Sequence, residues 1–261
     1  MNQLLHLPDW LWGVIIIGGF VLIAIGGLLV FKWLTAGRFH LSEEMNNNIV
    51  FFAEAIAVFY SLTVGLIAVG VWSNYSSVSD IVSDDAANIA SMYRDVSNYP
   101  EPIRTNLQGQ VREYTEYIIN QAWPAQMHGE ATDDGTRRLN TLAQTLTAFE
   151  PATTGQQLFH AETLHQLTDL SELRRKRLHA IRGGLPPVMW AIVLIGAVLT
   201  ISVTYLLQIE RKVQVTLTAF FAMFMGLVVF VIASLDQPLS GPLAIDSGPY
   251  QLILDRQIGL K

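Results

Sequence analysis

Cysteine is absent from the 261 residues, and charge is scarce, with 15% of positions Asp, Glu, Lys or Arg. An ordinary soluble domain carries about 25%. The missing cysteine excludes disulfides, a thiolate nucleophile and any cysteine metal site. It leaves the compartment open, because domains outside the cytoplasm can lack cysteine too. Positive charge is also in deficit. The net charge of −6 argues against a general nucleic-acid role.

Catalytic signatures are missing as well. There is no GxGxxG, GxxxxGK[ST], HExxH or GxSxG pattern. Of the six histidines, His160 and His165 are closest, but five residues do not put two ligands on one helix face. Asp133-Asp134-Gly135 reads as a turn, because the downstream acidic ligands of a calcium loop are lacking. The expectation is therefore a protein that is not an enzyme and has no cofactor and no metal.

The charge deficit has a sharp location. Leu11–Phe31, Val50–Trp72, Val188–Ile209 and Val213–Leu235 are apolar windows of 21 to 23 residues, and Glu54 is the only charged residue in them. A helix needs about 20 apolar residues to cross a bilayer. Backbone groups in lipid must be satisfied within the segment, so each window is expected to be a helix. Leu11–Phe31 is too long for a signal peptide and lacks a basic start, so it reads as a retained helix. Trp10, Trp12 and Trp33 suit its interfaces. Gly18-Gly19 and Gly26-Gly27 share a face, either for close helix contact or as ordinary membrane-helix glycine.

Ser73–Leu185 separates the two membrane hairpins, and its apolar spacing is helical throughout. Val78, Val82, Ile89, Tyr93 and Val96 extend the second window into one long rod to about Asn98. A second stripe, Leu107, Val111, Tyr114 and Ile118, ends near Trp123-Pro124. Leu139, Leu142, Leu146 and Phe149 mark a third helix. Leu158, Ala161, Leu164, Leu167, Leu170 and Leu173 mark a fourth, running to Ile181. The fold class is all-α: a polytopic membrane protein with four transmembrane helices and a helical insert between helices 2 and 3. The expected divisions are 1–72 (first hairpin), 73–185 (insert), 186–235 (second hairpin) and 236–261 (tail). In the tail, Tyr250–Ile258 is amphipathic and suits either the membrane surface or the insert.

Two sets of residues stand out. Glu54 is costly in an apolar span. It either snorkels to the interface or faces a wet path. Phe51, Phe52, Phe59, Tyr60 and Thr63 share its helix, and such rings either form a hydrophobic constriction, face lipid or pack. Arg174, Arg175, Lys176, Arg177 and Arg182 form a basic cluster beside the third span. It suits anionic head groups, at about 1 kcal/mol per charge, or pairs with the acidic part of the insert. Lys32, Arg38, Arg211 and Lys212 in the short loops place the insert outside the cytoplasm by the positive-inside rule. The Arg174–Arg182 cluster points the other way.

Several stretches together resemble a known family. They are Ala86–Arg94, Pro100-Glu101-Pro102, Ala122-Trp123-Pro124, Arg174–Leu178, Leu185–Trp190 and Asp236–Gly241. This pattern, from about Ile49 to Gly248, is similar to the bacterial bestrophin-like domain family, four-helix membrane proteins distantly related to bestrophin channels. The resemblance implies a homo-oligomer in the bacterial inner membrane, a central pore lined by the second membrane helix, and an insert in the cytoplasm. The calcium clasp of animal bestrophins has no match here. The expected partners are the lipid bilayer, further copies of the chain and a permeant ion of unspecified kind. An alternative is a non-conducting sensor or scaffold whose insert binds a partner.

Overall fold

The computed structural model describes residues 9–35, 42–181, 183–241 and 243–258. Among them there is no strand. The helices are α1 (Asp9–Leu34), α2 (Glu43–Val96), α3 (Ile103–Tyr117), α4 (Trp123–Met127), α5 (Asp134–Thr147), α6 (Thr154–Ala180), α7 (Pro187–Leu206), α8 (Arg211–Leu235) and α9 (Gly248–Ile253). Two π-helical turns, Ile118–Ala122 and Leu254–Ile258, follow α3 and α9. Among the described residues, four helices are long and apolar enough to span a bilayer: α1, α2, α7 and α8. The chain divides into two units, 1–73 with 184–236 and 74–183 with 237–261.

In the first unit, α1 packs chiefly along α8. Glycine makes this possible: a Cβ at Gly226 would lie 3.0 Å from Ile17 Cα and 3.1 Å from Phe20 Cβ. Without a hydrophobic drive between helices in lipid, such backbone approach supplies the dispersion contacts that hold them. On α7, Tyr205 crosses over Gly27 and donates to the carbonyl oxygen of Ala24 at 2.9 Å.

The α7–α8 turn leaves helix-end carbonyls that need donors. The Gln214 side-chain amide donates to the carbonyl oxygens of Thr204 (3.0 Å) and Leu207 (2.9 Å). Asn46 Oδ1 accepts from the Gln208 amide at 3.0 Å. At the other end, α7 begins at Pro187, where the missing N–H costs nothing. Asp236, just past α8, accepts from the Leu185 amide at 2.6 Å and from Trp190 Nε1 at 3.1 Å. The quoted Leu185–Trp190 and Asp236 stretches thus form one clip.

The described residues of the second unit share an apolar core. Val78, Val82, Ile89 and Val96 of α2 meet Leu107, Val111, Tyr114 and Ile118 of the α3 stretch, and Leu139, Leu142 and Leu146 of α5. Leu167 and Leu170 come from α6. Leu239, Tyr250, Ile253 and Ile258 complete it. The tail therefore belongs to the insert; of its two expected placements, this is packing against the insert.

The expected stop at Trp123-Pro124 is not a stop. The chain passes through the π turn straight into α4. Pro124 lacks an amide hydrogen and would crowd the carbonyl four residues back, and the widened turn ahead of it relieves both. On α6, Leu158 is 70% exposed, so the predicted stripe begins too early. The buried face is Thr163, Leu167, Leu170 and Arg177.

Candidate functional site

The membrane part of α2 presents most of its surface outward. Phe51, Phe52, Phe59 and Leu62 are exposed, Phe59 at 73%. Tyr60, Val64 and Val71 form the one buried stripe. At 3.6 residues per turn, Tyr60 lies on the side of the helix opposite Phe51. The structure therefore separates Tyr60 from the other aromatic candidates. Its hydroxyl donates to the Val193 carbonyl oxygen on α7 at 2.8 Å, with the ring 8% exposed.

The remaining candidates spread over a wide arc. Phe51 is near its centre, with Phe52, Phe59 and Thr63 toward one edge and Glu54 on the other. Phe51 and Phe52 meet edge to face, with centroids 6.0 Å apart. Glu54 is exposed. The Thr63 hydroxyl donates to the Phe59 carbonyl oxygen at 2.9 Å, and the Ser61 hydroxyl to that of Val58 at 2.9 Å. Both hydroxyls thus spend their proton on their own helix and offer oxygen lone pairs outward. An apolar arc edged by a carboxylate and by hydroxyl oxygens can exclude water at its centre and favour cations at its border.

The basic cluster is not one surface. Arg175 is exposed, and Lys176 pairs with Glu172 at 2.9 Å. Arg174 turns inward across Gly135 and donates to the Thr132 carbonyl oxygen at 3.3 Å. Arg177 is 1% exposed, so it cannot touch a membrane. Arg182 lies outside the described residues, as does Arg38. The signal was in the heptad spacing: continuing Thr163, Leu167 and Leu170 by one and two turns lands on Arg174 and Arg177, the inner face of α6.

Arg177 centres a buried polar group that motif searching missed. Asp85 of α2, with no exposure, accepts a 2.6 Å hydrogen bond from Tyr250 and lies 3.3 Å from Arg177 Nε. The guanidinium also stacks over the Trp123 and Tyr250 rings, 5.6 and 5.3 Å from their centroids. Burial pushes the Asp85 carboxyl up, against the opposing pull of Arg177, Tyr250 and Arg174. Burial likewise raises the Tyr250 hydroxyl well above its ordinary value. For Arg177, burial works against the charge, but Tyr250, Asp85, Tyr114 and Tyr117 outweigh it and the guanidinium stays protonated. Each partner comes from a different segment: α2, α4, α6 and α9. The group staples the insert together. No group of three or more metal-ligating side chains occurs among the described residues.

Comparison with known proteins gives the lineage. A search of curated proteins finds no match. Three solved structures of a bacterial bestrophin homologue from Klebsiella pneumoniae share the fold. One single-substitution variant aligns with a TM-score of 0.71 at 10% identity, over 94% of this chain and 98% of that one. A second variant gives 0.67 at 10% identity, over 94% and 97%. The structure phased by Zn-SAD gives 0.68 at 13% identity, over 95% and 99%. The bestrophin-like domain family model matches residues 20–250, nearly the whole chain, and the protein, a multi-pass membrane protein, belongs to that family.

Proposed function

We propose that the chain is one subunit of an oligomeric ion channel whose pore is lined by the membrane part of α2. The observation that carries this reading is the exposed arc of α2. A helix that buries only Tyr60, Val64 and Val71 against its own chain keeps the rest of its circumference for other copies and for a central path. Phe51, Phe52 and Phe59 then border an apolar constriction, Thr63 adds a hydroxyl oxygen to its edge, and Glu54 biases permeation. Conduction through such a ring is controlled by dewetting.

The test is ion flux through purified protein in liposomes. Wild-type protein should conduct, and Phe59→Ala should raise the flux by widening the constriction. No flux from wild type under any salt or pH sinks the reading. The second reading, a non-conducting scaffold, draws on the 54-residue run of α2. It gains if the particle is a dimer with a closed two-fold interface.

The insert is placed in the cytoplasm of a bacterial inner-membrane protein in this reading. The family resemblance supports that side. The short-loop charges vote for the other side, and Lys32, which reaches the Leu207 carbonyl oxygen at 3.5 Å, lies at the same membrane face as Arg211 and Lys212 of the α7–α8 turn. A lone cysteine introduced as Asp133→Cys should stay unlabelled by a membrane-impermeant thiol reagent in intact cells and react after lysis. Labelling before lysis puts the insert outside.

A further inference from the structure

Most membrane glycines of this chain have open space beside them: Gly18, Gly19, Gly26, Gly65 and Gly70 meet nothing within 4 Å of an added Cβ. Gly196 on α7 is different. A Cβ there would overlap both Cδ2 and Cε2 of Tyr60. Interiors are close-packed, so such an overlap forces a displacement. The Tyr60 ring is lodged against the bare backbone of α7, and its hydroxyl reaches the Val193 carbonyl oxygen one turn earlier. Within the span, the other side chains on that side of α2 that are buried or half-buried, such as Ala53, Ala57, Val64 and Ala68, are small or aliphatic, and the polar contact of Asn46 with the Gln208 amide lies almost four turns away at the start of the helix. A smooth aliphatic face slides and rolls easily. A ring seated on a glycine and tied by a hydrogen bond does not.

We propose that the Tyr60–Gly196 seat fixes the roll of the membrane part of α2 about its own axis, and thereby decides which of its side chains meet the ion path. The inference rests on the channel reading above and adds its regulation. Phe51 stands opposite the seat. Rolling α2 one way brings Phe59 and Thr63 forward, and rolling it the other way brings Glu54 forward. A small rotation therefore exchanges an aromatic and hydroxyl lining for a carboxylate one. Tyr60 acts as a positioning residue, through the helix rather than by touching the ion.

The chain has no native cysteine, so the roll can be read directly. Spin labels at Leu62→Cys and Ile195→Cys, both exposed, report the α2–α7 distance in full-length protein diluted with unlabelled copies. Gly196→Ala should shift the mean distance and change the cation-to-anion permeability ratio together. Tyr60→Phe keeps the ring on Gly196 and should keep the wild-type mean. Tyr60→Ala removes the key and should broaden the distribution. An unchanged distance in Gly196→Ala overturns the seat. A shifted distance with unchanged permeability overturns the link from roll to conduction. If wild type never conducts while the distance still shifts, the channel reading fails and takes the regulatory step with it, leaving a packing contact alone.

Discussion

Asp85→Ala is expected to destabilise the insert by about 3–5 kcal/mol, the usual cost of leaving one member of a buried ion pair without its partner. Arg177 cannot release its proton, and it has nowhere to go: it is 1% exposed and enclosed by Trp123 and Tyr250. The matching apolar pair, Asp85→Leu with Arg177→Met, should recover most of the loss, since it removes both charges at similar volume. Arg177→Met alone should behave differently, because Asp85 can take up a proton. Its carboxyl is already pushed up by burial, and without the guanidinium it rises further. A folded-state value above the unfolded one, about 3.9, gives stability that is complete below the unfolded value and is lost as pH rises through the folded one. Arg177→Met should therefore melt at a lower temperature at pH 8 than at pH 5, by a wider gap than wild type. The apolar pair should lack this component. Thermal unfolding of the purified protein followed by tryptophan fluorescence reads all three variants beside wild type. A melting point in Asp85→Ala equal to wild type would show that the pair does not hold the insert.

The second large effect is expected at Glu54. In the proposed oligomeric channel each copy would contribute one carboxylate, and the charges would form a ring at the edge of the proposed aromatic constriction. Glu54→Gln keeps the shape and removes the charge. The cation-to-anion permeability ratio should fall about tenfold, equivalent to ~1.4 kcal/mol. Reversal potentials across reconstituted bilayers under a salt gradient measure it. A ratio that does not move means the carboxylate points to the interface and not to the path.

How much of this was legible from residues alone varies with the kind of signal. The four spans were plain, because uncharged runs of bilayer length have few other uses. The core faces of α2, α3 and α5 were equally readable, since Val78, Val82, Leu107, Val111, Leu139 and Leu142 keep strict helical spacing. Polarity misled where a polar residue serves the inside. Arg177 read as a head-group contact or as a solvated partner of the insert's acidic residues, because arginine is rarely buried; it does face an acid, Asp85, but only the α6 spacing betrays that the pair is inside. Tyr60 was not told apart from the other aromatics as pore, lipid-facing or packing residue, because composition does not say which side of a uniformly apolar helix faces its own chain. Its partner signal, Gly196, lies 136 positions away and has no local mark. The tail was ambiguous for a similar reason: an amphipathic stretch such as Tyr250–Ile258 shows that it needs an apolar surface, not whose.

The return of that stretch to the insert has a consequence for biogenesis. Asp85 and Arg177 leave the ribosome before α7 and α8, whereas Leu239, Tyr250, Ile253 and Ile258 leave after both. Until then the charged pair lacks the tyrosine hydroxyl that Asp85 accepts, and part of the apolar core faces water. Maturation of the water-facing half thus waits for insertion of the last span, and a polypeptide cut short before residue 239 leaves a surface that quality-control proteases can recognise.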